Sequence, residues 1–344
     1  MFFRVGLVAT ATLLAIFPIP SSVIEYVYSR HIYIFIQKLV TPLTSMVQVA
    51  IFDVFVVSMF VVGVAIFWMA ARRQGSRGRL VQFVHHLFNL AVFLSGLYIL
   101  FLFFWGFNYS REPLTEKLDY DPSHVTHESL LELASQTVDQ VNVLYRSRED
   151  KKWPALDELS GRLAAAFYSV QDDLGNPNRA VITKPKRTIF LPYFRQAGVD
   201  GMISPFSLEI LINDQILAFE RPYVVAHEWG HLAGFADESE ASFVGWLICL
   251  AGDDLSRYSA WLALFPRLIR HLDQEEKTEL WASLDEGPTD DLREVAERLR
   301  SSVPIVRRSA NRVYDQYLKA NRVEQGISSY DAVVDLILGS QAWK

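Results

Sequence analysis

Two histidines four residues apart, His227 and His231 in VVAHEWGHLAGFADESEASF, carry the clearest chemistry in the chain. On an α-helix, positions i and i+4 share a face about one turn apart, so both imidazoles can reach one metal ion. Glu228 directly follows the first histidine and completes the HExxH zinc pattern, in which that carboxylate takes a proton from water activated by the metal. The surrounding RPYVVAHEWGHLAGF predicts a helix. Pro222 suits a first turn, Tyr223, Val224 and Val225 open an apolar run, and Gly234 stands where a helix can stop. The plainer alternative is a pair of ordinary surface or core histidines.

A catalytic zinc site takes three protein ligands and keeps one position open. The third ligand must lie nearby, and DESEASFVGWL offers Asp237, Glu238 and Glu240 ahead of an apolar run that predicts a second helix packed on the first. Glu240, followed by Ala241 at the start of that helix, resembles the glutamate ligand of the gluzincin class of zinc peptidases. It is the expected third ligand, with Glu238 as the alternative. The same residues also fit a capping box, with Asp237 as N-cap and Glu240 three residues on. Val244 occupies the position at which the thermolysin branch keeps an aspartate that orients a histidine, so that partner stays unassigned.

The rest of the chain must position this site. Of 344 residues, 51% are hydrophobic and 13% aromatic, and the apolar ones crowd the first third. Up to Phe107 the chain carries five net positive charges and beyond it eleven net negative, within a total of −6. This split predicts a basic membrane portion, residues 1–107, joined to an acidic extramembrane domain, residues 108–344, and makes nucleic acid an unfavourable partner. Three segments have the length and composition to span a bilayer: about Val5 to Ile19, extending toward Tyr28, then Val54 to Ala71, then Leu87 to Phe107. The first is read as an anchor rather than a cleaved signal, because no small-residue cleavage site follows it. Asp53 is expected at the bilayer edge, with His85 and His86 among head groups. The stretch from about Ile24 to Val49 is too polar for a span and is expected to lie as an amphipathic helix on the outer surface. RRQGSRGR, between the second and third spans, holds four arginines and no acid, which places it in the cytoplasm and the HEWGH domain outside.

Beyond the polar linker from Asn108, periodicity predicts helices over about 128–146, 154–174, 258–272, 274–284, 290–299 and 309–320, with Phe243 to Ala251 in a core helix. His124 and His127 lack a metal-ligand context and are expected to be solvated cap residues. The single cysteine, Cys249, is expected to be buried and structural. Ile203 to Asn213 alternates like a strand, and SLEILIN within it is a candidate edge for an extended peptide. Tyr314, Tyr317 and His271 are candidate oxyanion donors from downstream segments.

With three N-terminal spans, WGFNYSREPL, GMISPFSLEILIN, HEWGHLAGFADESEASF and YDQYLKANRVEQGISSYDAVVDLIL in place, the chain resembles an uncharacterised bacterial membrane-protein family, a domain of unknown function, over most of its length. Where that family tends to EDEAN this chain has ESEAS, keeping both acids. The resemblance implies a mainly α protein with a small β-sheet, N-terminal transmembrane helices, and a gluzincin-like α+β zinc metallopeptidase domain outside the bacterial cell membrane. The expected chemistry is amide hydrolysis with Zn2+ on His227, His231 and Glu240 and Glu228 as general base. Expected partners are the lipid bilayer and a polypeptide that is exported, membrane-attached or part of the cell wall. A non-catalytic zinc-stabilised ectodomain that binds peptides or partner proteins is the alternative. An intramembrane protease is disfavoured by the charges that flank the motif, Asp214, Glu220, Arg221, Asp237 and Glu238.

Overall fold

The computed structural model describes residues 1–72, 79–148 and 151–344, most of them helical, with one two-stranded sheet. The arginine-rich loop that carries the orientation argument lies, from 73 to 78, outside the described residues. Three apolar helices dominate the first third: Phe2–Ile16, Ile51–Arg72 and Arg79–Phe104. Among the described residues one helix, Val81–Phe104, is long and apolar enough to cross a membrane. A second span arises if Phe2–Ile16 and Ser21–Ser45, bent by 113°, count as one, while Ile51–Ile66 is a shorter apolar helix. The bend falls at Pro18 and Pro20, which remove backbone donors and push their neighbours out of the helical region.

The stretch after that bend does not lie free on a membrane surface. A π-helical segment, Ile24–Tyr33, buries Ile24, Tyr28 and Tyr33 in the same core as Trp229 of the HEWGH helix. Asp53 is buried too. Its carboxylate accepts from the Thr188 hydroxyl at 2.5 Å and the Ile189 amide at 2.9 Å, tying the base of the Ile51–Arg72 helix to the downstream chain.

The expected helices downstream form close to their predicted ranges: His127–Ser147, Leu156–Asp173, Glu238–Leu250, Asp254–Leu268, Gln274–Ser283, Glu286–Arg300 and Pro304–Ala320, ending with Val333–Ser340. His127 pairs with Glu276 at 2.6 Å on the surface, and Cys249 is fully buried. The expected single strand over 203–213 is instead a hairpin. β1 (Gly201–Ile203) pairs antiparallel with β2 (Ile210–Ile212), Met202 facing Leu211, and Lys186 bridges the far side of β2. The turn forms at SPFS because Pro205 has no amide for a ladder and the Ser207 hydroxyl bonds the Ser204 hydroxyl at 2.6 Å.

Candidate metal centre

The motif helix runs Arg221–Leu232 with Pro222 in its first turn, as its sequence predicts. It stops in a Schellman arrangement: the Gly234 amide donates to the His231 carbonyl at 2.8 Å and the Phe235 amide to the Gly230 carbonyl at 3.2 Å. Gly234 takes φ +89, a conformation glycine adopts without steric cost. The chain then reverses into Glu238–Leu250, whose N-cap Asp237 accepts from the Ser239 amide at 2.8 Å. The two helices pack closely because Gly245 carries no side chain; a Cβ there would sit 2.7 Å from the His227 amide nitrogen.

This reversal brings Glu238, not Glu240, to the histidines. Glu238 Oε2 lies 3.2 Å from His227 Nε2 and 3.3 Å from His231 Nε2. All three ligand atoms fall within 4.8 Å of one another, and the group can hold a metal ion. A tetrahedral ion with metal–ligand bonds of about 2.0–2.1 Å separates neighbouring ligand atoms by about 3.3–3.4 Å, so both measured edges match. Glu238 Oε2 and Glu228 Oε2 are buried without a hydrogen-bond partner, and a metal and a water satisfy such atoms. The donor set of two imidazoles and a carboxylate suits zinc among the common divalent ions.

The expected third ligand, Glu240, is placed elsewhere. Glu238 and Glu240 stand two residues apart, about 200° around a helix, and cannot face the same site. Glu240 accepts the Leu114 amide at 2.6 Å, so it also does not close the predicted capping box with Asp237. Burial pushes its carboxyl up to about 7, against the opposing pull of Lys117 and Arg111.

Each histidine is oriented through its other nitrogen. His231 Nδ1 lies 2.7 Å from the Phe235 carbonyl, an acceptor, so Nδ1 holds a proton and Nε2, facing Glu238, is the nitrogen a metal would take in exchange for a proton. His227 Nδ1 lies 3.3 Å from the Ser242 hydroxyl, which fills the role left open at Val244. Burial lowers the His227 pKa. Burial acts the same way on His231, but the Glu238 carboxylate outweighs it and raises that imidazole to about 9. Glu238 would be raised by burial, yet the two imidazoles hold it well below the usual carboxylate range. Burial pushes Glu228 up to about 8, which gives it affinity for a proton near neutrality.

Of the candidate donors, Tyr314 reaches the centre, with its hydroxyl donating to Glu238 Oε1. Tyr317 packs instead on the rings of Tyr109 and Phe101, and His271 sits in an exposed turn after Asp254–Leu268. Tyr330 was not singled out by the sequence. Its ring lies 6.3 Å from that of His227, nearly parallel at 16°, and its hydroxyl bears on Glu238. No local pattern marks it, because it arrives from nearly a hundred residues downstream.

The hairpin supplies the wall beside Glu228. A Cβ on Gly201 would fall 2.5 Å from Glu228 Oε1, so β1 lies against the acid. β2, which lies within the predicted SLEILIN edge, has neighbours on both sides, leaving β1 as the unpaired edge among the described residues. The Asn213 amide bonds the Asp200 carbonyl and the Ser204 amide the Glu209 carbonyl, both at 2.9 Å. By antiparallel alternation, the backbone groups of Gly201 and Ile203 therefore point to that outer edge.

Fold and site together define a mainly helical protein with membrane-type apolar helices near its start and a buried His–His–Glu group able to hold a metal ion. The chain belongs to the family described as Protein of unknown function (DUF3810), whose model matches residues 28–338. The expected membership of an uncharacterised family covering most of the chain holds at that level. Comparison with curated proteins and with solved structures found no match.

Proposed function

We propose that the protein is a membrane-anchored zinc metallopeptidase, gluzincin-like in using two histidines and a glutamate, that hydrolyses peptide bonds outside the cytoplasm. The observation that carries this is Glu228: a buried carboxylate with an unpartnered oxygen, next to a group of metal-ligand type, which a purely structural site does not need. His227, His231 and Glu238 would hold the ion, which supplies a Lewis acid and lowers the pKa of a water. Glu228, as its carboxylate, would accept a proton from the attacking water and return it to the leaving amine. An extended polypeptide would add as a strand to the outer edge of β1, where its backbone passes Glu228. The chain would cross the bacterial cell membrane three times with its N-terminus inside, and exported, membrane-attached or cell-wall peptides would be within reach.

One observation favours a second reading, a zinc-stabilised binding ectodomain without catalysis. His227, Glu228, His231 and Glu238 are all at most 9% exposed, so substrate entry requires the Tyr314 and Tyr330 segments to move. Metal content and peptidase activity of the detergent-purified chain separate the two. A metallopeptidase requires about one zinc in wild type and in Glu240→Ala, loss of zinc in Glu238→Ala, and zinc without cleavage in Glu228→Gln. Zinc with no Glu228-dependent cleavage supports the binding ectodomain, and no zinc in wild type rules out both.

A further inference from the structure

The ligand turn between the two metal helices, residues 232–238, is gripped from outside by residues that belong to neither helix. Arg111, seven residues beyond the end of the Arg79–Phe104 helix, donates from Nη1 to the Gly234 carbonyl at 2.8 Å. Its guanidinium also lies over the Phe235 ring, 4.5 Å from the centroid. Residue 235 is the one whose carbonyl fixes the His231 ring, and Glu238 follows three residues later.

Arg111 is itself held rigidly. Its Nε donates to Glu25 Oε2 at 2.8 Å and its Nη2 to Glu25 Oε1 at 3.0 Å, a two-pronged pair that fixes the guanidinium plane. The side chains are 0% exposed for Glu25 and 5% for Arg111, and Lys117 and Arg30 add further ion pairs to the same carboxylate. Beside this, Tyr33 donates to the Leu232 carbonyl at 2.9 Å, and Glu240 clasps the Leu114 amide, pinning the Arg111 segment against the Glu238 helix. A buried charge cluster of this kind contributes little net stability compared with apolar packing, while loss of one partner is costly. Its position, one residue from the His231 partner, gives it a use.

We propose that the Glu25–Arg111 pair is a positioning device for the metal centre, through which the bent N-terminal helix and the segment leaving the Arg79–Phe104 helix hold the ligand turn in its binding geometry. The proposal rests on the metal-site assignment above. Arg111 has no role in the chemistry; it fixes where the Phe235 carbonyl points, hence the orientation of His231, and where Glu238 begins. It also gives the acid expected to bind metal, Glu240, a different task on the same clasp.

The test is zinc affinity by chelator competition on the full-length purified chain, with thermal midpoint read in parallel. Arg111→Gln should weaken zinc severalfold, less than the about 10- to 100-fold that follows loss of a group bonded directly to a metal ligand, because Arg111 acts one step further out. Arg111→Lys keeps the charge and is the safer fold; it should still weaken zinc, because a point charge cannot replace the planar fork. Glu209→Gln breaks an equally buried ion pair, with Lys186 at 2.9 Å, that makes no contact with the ligand turn. It should lower the midpoint and leave zinc affinity unchanged. Wild-type affinity in both Arg111 variants, or an equal loss in Glu209→Gln, overturns the proposal. Absence of zinc in wild type instead removes the metal centre itself and the proposal with it.

Discussion

At the residue scale, the candidate metal centre turns on the second oxygen of one carboxylate. Glu238 offers Oε2 to the histidines and receives the Tyr314 hydroxyl on Oε1, so the phenol would select which oxygen faces a bound metal. Tyr314→Phe keeps the ring and deletes that donor. We expect about a tenfold or greater loss of zinc affinity in a chelator competition, with the fold intact by circular dichroism; unchanged affinity would show that Tyr314 only packs. The two histidines and Glu228 were legible from spacing, because i and i+4 face together on any helix. The choice between Glu238 and Glu240 was not. Both follow a tight turn, and the angle at which the second helix meets the first depends on contacts such as Gly245 against His227 that no local pattern displays.

At the element scale, the site is a helix–turn–helix held closely enough for residues eleven apart, His227 and Glu238, to meet. Gly245→Ala should drive a methyl group into the His227 backbone, 2.7 Å from its nitrogen. Overpacking of this kind costs about 1–3 kcal/mol, so the thermal midpoint should fall by several degrees, and the variant should bind zinc more weakly as the helices part. A midpoint within a degree of wild type would mean that the helices separate without cost and are not tightly packed in solution. Helix positions were largely readable because apolar residues recur at helical spacing from 127 to 300. The hairpin was misread as one strand because alternation continues across Ser204 and Ile203 into SLEILIN, and the break depends on Pro205 and a serine–serine hydrogen bond. Alternation alone therefore points to β2 as the edge, although β2 is paired on both sides.

At the scale of the whole molecule, composition separated an apolar, basic first third from an acidic remainder, but it concealed how tightly the two are joined. Tyr33 bonds the end of the motif helix, the Trp105 ring stands edge-on to His231 at 6.2 Å, and Arg111 holds the ligand turn, so residues on both sides of position 107 build one core. The polar letters of EYVYSRHIY hide this, because the Glu25 and Ser29 side chains are satisfied by partners distant in sequence, Arg111 and Asn108, and Arg30 pairs with that same Glu25. If the apolar helices cross a bilayer as proposed, a core continuous with them would restrict the site to one side. The four arginines of RRQGSRGR would then mark the cytoplasmic face, and three crossings would place the centre outside. Cysteine labelling checks this directly, since the one native thiol, Cys249, is buried and out of reach of the reagent. In the wild-type background a membrane-impermeant maleimide applied to intact cells should label Ala282→Cys, an exposed position, and leave Ser76→Cys unlabelled until the membrane is opened. The reverse pattern would place the centre in the cytoplasm and remove exported and cell-wall peptides from its reach. Labelling of both positions in intact cells would mean an even number of crossings between them, so that the Arg79–Phe104 helix does not span, and the anchoring would have to come from the bent N-terminal pair and the Ile51–Arg72 helix.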